Sequence, residues 1–243
     1  MAVDGVLTIV PTYNERDSIP LLVPRLFAEA PDADLLIVDD ASPDGTADMA
    51  QERFGDDARL HILRRTGLRG LGRSYVDGYL WALERGYGRV VQMDADLSHD
   101  PRYIAALVSV SHTFDVVLGS RYCQGGGVEN WPQRRLALSV FANRYVAAVT
   151  RLGVADATSG FRCYTRQALA VMDVRSIASN GYAFQVEMTY RARLAGLSIA
   201  ESPIVFTDRT HGHSKMSKRV IWESIWMPWK LRFGGGITLG PPK

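Results

Sequence analysis

The sequence predicts an α/β fold in which helices cover both faces of a mostly parallel sheet. Two observations predict it: short, continuous apolar runs alternate with helical patterns over the first 120 residues, and turn-forming residues separate them. Continuous apolar runs are typical of parallel strands buried on both faces, and strand–helix alternation produces such a sheet. With 243 residues, the chain is long enough to form one sizeable core.

The expected elements follow one another in this order. Strands are predicted at residues 6–10, 35–38, 60–63, 89–93 and 116–119. The first helix shows apolar residues at helical spacing, Ile19, Leu22, Val23 and Leu26. Further helices are predicted at 47–54, 72–85 and 101–110, the last of them opened by a proline. After residue 120 the alternation stops, and Gly125 to Gly127 predict a flexible joint.

Two later segments carry apolar stripes at helical spacing. A helix at about 133–152 carries Leu138, Phe141, Tyr145, Val149 and Leu152. The segment 218–233 carries Trp222, Ile225, Trp226, Trp229 and Phe233, flanked by the basic residues Lys215, Lys218, Arg219, Lys230 and Arg232. Pro228 is expected to bend or end this helix, and a loose tail is expected after Gly234. We therefore divide the chain into a catalytic domain, 1–217, and an amphipathic C-terminal segment with its tail, 218–243.

Each stripe has two interpretations, packing on the sheet or contact with a membrane surface. Both remain open for 133–152. Membrane contact is favoured for the C-terminal segment, because tryptophan and basic residues occur together there.

Composition excludes several classes of protein. Hydrophobic residues make up 47% of the chain and charged residues 22%, which is ordinary globular usage. A formal charge of +2 does not favour nucleic-acid binding. The two cysteines fit a reduced, cytoplasmic setting. No apolar run approaches the roughly 18–20 residues of a membrane span, and the N-terminus lacks a basic signal-peptide region, so we expect a soluble or peripheral cytoplasmic protein.

Polar residues follow three of the predicted strands: 11–15, 39–40 and 94–96. A single acidic strand end is usually a helix cap or a loop. Ligands, however, bind at the carboxyl edge of parallel sheets, and three polar ends at that edge predict a site.

The chemistry of these residues suits a nucleotide bound with a metal. Asp94 and Asp96 are oxygen ligands of the kind that Mg²⁺ takes together with substrate phosphates, although a bare Asp-x-Asp pattern is usually a solvated loop. Asp39 and Asp40 can accept hydrogen bonds from a ribose or a base, or can belong to a surface turn. Tyr13 can stack on a base, and Glu15 is otherwise explained as an early helix residue favoured by the dipole.

These motifs resemble a known family. PTYNE (11–15), IVDDASPDGT (37–46) and MDADLSHDP (93–101) resemble inverting GT-A glycosyltransferases, with a Rossmann-like sheet. GSRY (119–122), SGFRCY (159–164), GYAFQVEM (181–188) and RTHGHSKM (209–216) are similar to the dolichyl- and polyprenyl-phosphate mannose synthases in particular. The resemblance covers about residues 5–220.

The resemblance implies transfer of mannose from GDP-mannose to a polyprenyl phosphate, with inversion and with Mg²⁺ or Mn²⁺ as cofactor. It implies that Pro11, Tyr13, Glu15, Val38 and Asp40 hold the guanosine. It places Asp94, Ala95 and Asp96 at the diphosphate, with Asp96 as the direct metal ligand, and gathers Arg121, Arg209 and Lys215 around the phosphates. One position departs from some relatives: Ser98 stands where they carry a metal-binding glutamine, so that Ser98 or water must complete the metal shell.

A lipid phosphate is already an anion near neutral pH, so no catalytic histidine is expected. We expect His99, His211 and His213 to make local hydrogen bonds or face solvent. The implied partners are the two substrates and a membrane surface, and a membrane-anchoring partner protein stays open.

Three alternatives also remain. They are a UDP-sugar transferase acting on the same lipid, a nucleotide-sugar-binding module without catalysis, and a soluble transferase acting on a polysaccharide.

Overall fold

One seven-stranded sheet organises the protein. The computed structural model describes residues 5–177, 179, 181–208, 218–234 and 237–240. Seven strands form this sheet: β1 (Val6–Thr12), β2 (Ala33–Asp39), β3 (Leu60–Arg64), β4 (Arg89–Gln92), β5 (Val116–Ser120), β7 (Arg162–Thr165) and β8 (Ile199–Pro203). The strands β6 (Gly127–Glu129) and β9 (Val205–Thr207) pair with each other in a separate two-stranded sheet. The sheet order is β3-β2-β1-β4-β7-β5-β8, and only β7 runs antiparallel to its neighbours. The prediction of a mostly parallel sheet is confirmed.

Helices lie on both faces of this sheet. They are α1 (Ile19–Glu29), α2 (Thr46–Phe54), α3 (Leu71–Arg85), α4 (Ile104–Val110), α5 (Gln133–Thr150), α6 (Arg166–Val171), α7 (Gly181–Leu194) and α8 (Lys218–Phe233). Consecutive residues of β1 show the two faces, since side chains alternate along a strand. Val10 packs with Leu22 of α1, whereas Ile9 packs with Tyr75 and Tyr79 of α3.

A third hydrophobic cluster joins the C-terminal helices. Val146 of α5, Val186 and Tyr190 of α7, and Met227 of α8 are buried together there. None of the helices in the described part of the chain has both the length and the apolar character that crossing a bilayer requires.

The second half of the chain differs in several details from the predictions. The antiparallel strand β7 was not anticipated, and it inserts between β4 and β5. The expected flexible joint is a hydrogen-bonded turn, in which the Gly126 N–H donates to the Cys123 carbonyl and the Gly127 N–H to the Ile204 carbonyl, both at 3.0 Å. Helix α5 ends at Thr150 rather than 152, because Arg151 takes a left-handed backbone conformation.

The C-terminus also departs from expectation. Pro228 was expected to bend or end α8; it does not end the helix, which continues to Phe233, and burial of the adjacent Met227 against α5 and α7 holds the helix on either side of the proline. The residues expected to form a loose tail are packed where the structure describes them. The Thr238 carbonyl accepts a 2.9 Å hydrogen bond from the buried Arg191 guanidinium, and the Gly240 N–H donates to Val171 at 2.8 Å.

Candidate active site

The three polar strand ends meet in one pocket. Strands β2, β1 and β4 are adjacent and parallel, so their carboxyl ends lie at one edge of the sheet. The pocket has a volume of about 220 Å³, slightly below the roughly 300–1,000 Å³ that is usual for ligand sites. Its lining residues are Pro11, Thr12, Tyr13, Glu15, Asp40, Leu71, Ser74, Asp94, Ala95 and Asp96. Seven of the eleven residues expected at the site are among them.

The adjacent aspartates at the end of β2 have different surroundings. Asp39 faces the loop, where its carboxylate accepts hydrogen bonds from the Thr12 hydroxyl at 2.9 Å and the Ser42 N–H at 3.0 Å. Asp40 faces the pocket, and its own N–H donates to the Thr12 carbonyl at 3.0 Å. Asp39 therefore shapes the strand end, and Asp40 is the aspartate available to a ligand.

A buried arginine holds Asp40 in place. One oxygen of Asp40 is paired with the Arg65 guanidinium, and the other accepts the Gly70 N–H at 2.7 Å. Arg65 also donates to Asp77 on α3 at 2.6 Å, which links the sheet edge to that helix. An ionised carboxylate offers about four acceptor sites, so Asp40 keeps capacity for a ligand. Nothing in the sequence pattern had marked Arg65.

Tyr13 and Glu15 form the wall contributed by the end of β1. Tyr13 is 39% exposed, and its hydroxyl accepts a 2.7 Å hydrogen bond from Arg69. The Glu15 carboxylate accepts from the Ser18 hydroxyl at 2.9 Å, and the Glu15 N–H donates to Thr46 at 3.0 Å. A half-exposed ring beside a fixed carboxylate can contact a nucleoside.

Asp94 is held from three sides. The Tyr75 hydroxyl donates to its carboxylate at 3.0 Å, and its own N–H donates to His99 Nδ1 at 3.0 Å. Gly160 lies so close that an added Cβ would stand 3.3 Å from Asp94 Oδ2 and 3.2 Å from the His99 ring. His99 is buried and stacks on Phe161 at 5.1 Å between ring centres. The expected local hydrogen-bonding role is thus confirmed for His99, whereas His211 and His213 lie outside the described residues.

The surroundings of Tyr75 favour its role as hydrogen-bond donor to Asp94. It is fully buried and stacks on Phe184 of α7 at 5.7 Å between ring centres. Burial, and secondly the charge of Asp94, raise the pKa of Tyr75 well above its ordinary value, so the hydroxyl stays protonated.

Asp96 pairs with the residue that was expected to complete a metal shell. The Ser98 N–H donates to Asp96 Oδ1 at 3.1 Å, and the Ser98 hydroxyl donates to the same oxygen. Ser98 is buried and does not line the pocket. In this arrangement Ser98 orients Asp96, so water is the better candidate to complete a shell.

Two expected site residues do not line the pocket. Val38 is fully buried in the core cluster that contains Tyr75. Arg121 makes a two-pronged ion pair with the buried Asp156, through Nε and Nη at 2.7 Å each. The guanidinium charge of Arg121 is thus paired with a buried carboxylate, and its role beside the phosphates stays a prediction. Arg209 and Lys215 lie outside the described residues.

Comparison with known proteins identifies the family. The model of Glycosyl transferase family 2 matches residues 8–172. The undecaprenyl-phosphate mannosyltransferase of Micrococcus luteus is 45% identical over 220 residues, which are 90% of each chain. The polyprenol monophosphomannose synthase of Mycolicibacterium smegmatis is 44% identical over 230 residues, which are 93% of this chain and 87% of that protein.

Solved structures agree on the fold. Glucosyl-3-phosphoglycerate synthase from Mycobacterium tuberculosis, in complex with Mg²⁺ and uridine diphosphate, matches with a TM-score of 0.70 over 95% of this chain and 80% of its own, at 17% identity. A complex of the same enzyme with Mn²⁺, UDP-glucose and phosphoglyceric acid matches with a TM-score of 0.67 and 18% identity, over 93% of this chain and 80% of that one. This likeness confirms the expected GT-A fold, and together with the family match and the two relatives it shows that the chain belongs to Glycosyl transferase family 2.

Proposed function

We propose that this protein transfers mannose from GDP-mannose to a polyprenyl phosphate, giving polyprenyl-phosphate mannose with inversion at the anomeric carbon. One observation carries the proposal: Tyr13, Glu15 and Asp40 line the same pocket as Asp94 and Asp96. A nucleoside-sized wall thus stands beside a carboxylate pair. The two relatives named for mannosyl transfer to undecaprenyl phosphate or for polyprenol monophosphomannose synthesis support this choice of sugar and acceptor.

The carboxylate pair fits a divalent cation. Asp94 and Asp96 are hard oxygen donors in a pocket that solvent reaches, and Mg²⁺ commonly takes one or two carboxylates plus phosphate oxygens and water. The described residues contain no group of three or more acidic, histidine or cysteine side chains placed to hold a metal, so a diphosphate would supply the remaining ligands. Bound Mg²⁺ or Mn²⁺ would neutralise charge on the leaving diphosphate.

The reaction needs positioning more than proton transfer. A lipid phosphate oxygen attacks the anomeric carbon, the bond from that carbon to the diphosphate oxygen breaks, and GDP leaves. Because the attacking phosphate is already an anion, the protein need only hold it in line with the donor. Arg209 and Lys215 are proposed for this cationic role by resemblance, and charge-assisted contacts to phosphate are the strong ones.

A membrane surface is the proposed place of reaction, since the acceptor is a lipid. Exposed aromatic residues support it: on α8, Trp226 is 63% and Phe233 67% exposed, and on the neighbouring α5, Phe141 is 67% exposed. The basic residue Lys230 is also exposed on α8. Aromatic and basic residues together suit the headgroup region.

The test compares donors in one assay. Purified protein with Mg²⁺ or Mn²⁺ is given a short polyprenyl phosphate and either GDP-mannose, UDP-glucose or a UDP-aminosugar, and the glycolipid product is measured. We expect product from GDP-mannose, and at least a 100-fold loss in Asp96→Asn because one carboxylate charge is removed from the metal site. Asp48→Asn, at an exposed surface ion pair, is the matched control. Product from a UDP-sugar alone would overturn the donor, and normal turnover by Asp96→Asn would overturn the metal site.

A further inference from the structure

Arg69, in the loop between β3 and α3, contacts Tyr13, which lines the donor pocket. One terminal nitrogen of its guanidinium donates to the Tyr13 hydroxyl at 2.7 Å, and the other donates to the Ala41 carbonyl at 3.1 Å. Its central carbon lies 4.7 Å from the centre of the Tyr13 ring, within cation–π distance. Neither the motifs nor the family resemblance gives Arg69 a role.

The neighbouring contacts fix Arg69 beside Asp40. Ala41, which accepts a bond from Arg69, directly follows Asp40, and Gly70, which directly follows Arg69, donates its N–H to Asp40 at 2.7 Å. Gly70 has a φ of 149°, a conformation that residues with a side chain rarely adopt. Two adjacent residues, Arg69 and Gly70, are thereby bonded to two adjacent residues, Ala41 and Asp40. These bonds tie the Arg69 cation to the strand end that carries the pocket carboxylate of Asp40.

We propose that Arg69 selects guanine as the base of the donor, an inference that rests on the proposed function. The Watson–Crick edge of guanine presents the acceptor O6 next to two donors, the N1–H and the amino group at C2. A guanidinium has five N–H donors, and the described contacts of Arg69 use two of them. Arg69 donates to O6, while Asp40 accepts from the two donor groups.

The same pair of charges rejects other bases. Uracil has a single N–H between two carbonyl oxygens. With one oxygen at Arg69 and the N–H at Asp40, the other oxygen faces a carboxylate and finds no donor. Adenine would turn its amino group towards the donors of Arg69. Leaving a buried polar group without a partner costs more binding free energy than the absence of a contact. The arrangement therefore discriminates guanine from other bases by repulsion as well as by attraction.

The experiment measures dissociation constants by calorimetry in the presence of Mg²⁺. The ligands are GDP, UDP and 6-thio-GDP, in which a sulfur, a poor acceptor, replaces O6. The proteins are the unmodified chain, Arg69→Met, which keeps length and loses all five donors, and Arg73→Met. Arg73 is an exposed arginine four residues later that lines a separate surface pocket, and it serves as the matched control.

We expect Arg69→Met to weaken GDP binding by about 10- to 100-fold, the worth of a hydrogen bond to a charged group. UDP binding should weaken by a smaller factor than GDP binding, because uracil cannot satisfy Arg69 and Asp40 together, and the penalty for 6-thio-GDP should vanish in this variant only. If the unmodified protein prefers GDP but Arg69→Met weakens GDP and UDP equally, Arg69 merely supports Tyr13; this proposal then fails, while the donor proposal stands. If the unmodified protein binds UDP more tightly than GDP, the donor proposal fails and the role of Arg69 fails with it.

Discussion

The carboxylates proposed to meet the donor and the metal are each oriented by a neighbouring hydroxyl or backbone N–H. Tyr75 holds Asp94, Ser98 holds Asp96, and the Gly70 N–H holds Asp40. Such supporting contacts fix the direction of a ligand before the substrate arrives, and their loss typically costs about 10- to 100-fold in metal affinity or activity. The supporting hydroxyls and amides therefore belong to the site, although a search for charged residues does not find them.

Removal of the Tyr75 hydroxyl tests this support directly. Tyr75→Phe keeps the ring that stacks on Phe184 and deletes only the bond to Asp94. We expect the Mg²⁺ concentration for half-maximal turnover to rise about tenfold, since Asp94 loses its orientation. Thermal unfolding should show a loss of about 1 kcal/mol, the usual value for one hydrogen bond.

Tyr79→Phe provides the control for that substitution. Tyr79 lies one turn away on α3, is equally buried, and donates to Gln92 rather than to a carboxylate of the pocket. It should lose similar stability with no change in the metal requirement. Equal shifts in the metal requirement for both variants would show that Tyr75 acts only on folding.

Asp156 ties three parts of the second half together. It is fully buried and pairs with Arg121 after β5. The Thr158 hydroxyl, which also contacts Asp156 at 3.2 Å, accepts from Asn143 of α5 at 3.0 Å. The N–H of Asp156 itself donates to Glu201 of β8 at 3.0 Å. The segment before β7 is therefore fixed by a buried charge rather than by apolar packing alone.

Asp156→Ala should destabilise the protein by about 3–5 kcal/mol, because it leaves the Arg121 guanidinium nearly buried without its partner. Urea unfolding measures this loss. Asp48→Ala, which breaks the exposed pair with Arg64, should cost no more than about 1 kcal/mol. A loss for Asp156→Ala as small as that of the control would mean that Arg121 readily finds another partner, and it would support the phosphate role that the resemblance implies for Arg121.

The difference between the halves explains what the sequence could predict. The first five strands and their helices follow from local patterns, because each strand is a short, mainly apolar run and each helix has one buried face, as Leu22 and Leu26 show in α1. Their parallel order then brings the polar strand ends together. Strand β7 has only four residues, and its place is set by antiparallel pairing with β4 and β5, a long-range contact that no local pattern contains. Arg65 and Arg69 escaped notice for the same reason, since the partners that tie them to the site, Asp40, Ala41 and Tyr13, lie at least 25 positions away, just after β2 and β1.

The apolar stripes of α5 and α8 are each partly buried in the protein and partly exposed to solvent. On α5, Val149 is buried, whereas Leu138 and Phe141 are 62% and 67% exposed. On α8, Met227 is buried while Trp226 and Phe233 are exposed. The two helices are joined where the Trp229 indole N–H donates to the Tyr145 hydroxyl at 2.7 Å. One side of each helix thus packs on the protein and the other presents large apolar side chains outward, an arrangement suited to a membrane surface.

We expect this surface to bind anionic vesicles. Trp226→Ser combined with Phe233→Ser should weaken binding to vesicles of phosphatidylglycerol and phosphatidylcholine by at least tenfold, since burial of a large apolar side chain contributes about 1.5–3 kcal/mol. These two residues are better targets than a truncation of α8, which would also remove the buried Met227. Leu21→Ser, at a 56% exposed position of α1, is the matched control and should leave binding unchanged.

The doubly substituted protein should still bind GDP and should lose activity on long-chain lipid phosphate more than on a short, water-soluble one. Low salt should strengthen binding of the unmodified protein, because screening of the basic residues is then weakest. If the unmodified protein fails to associate with vesicles even at low salt, or if the control loses as much as the double variant, the exposed faces of α5 and α8 do not dock on a membrane.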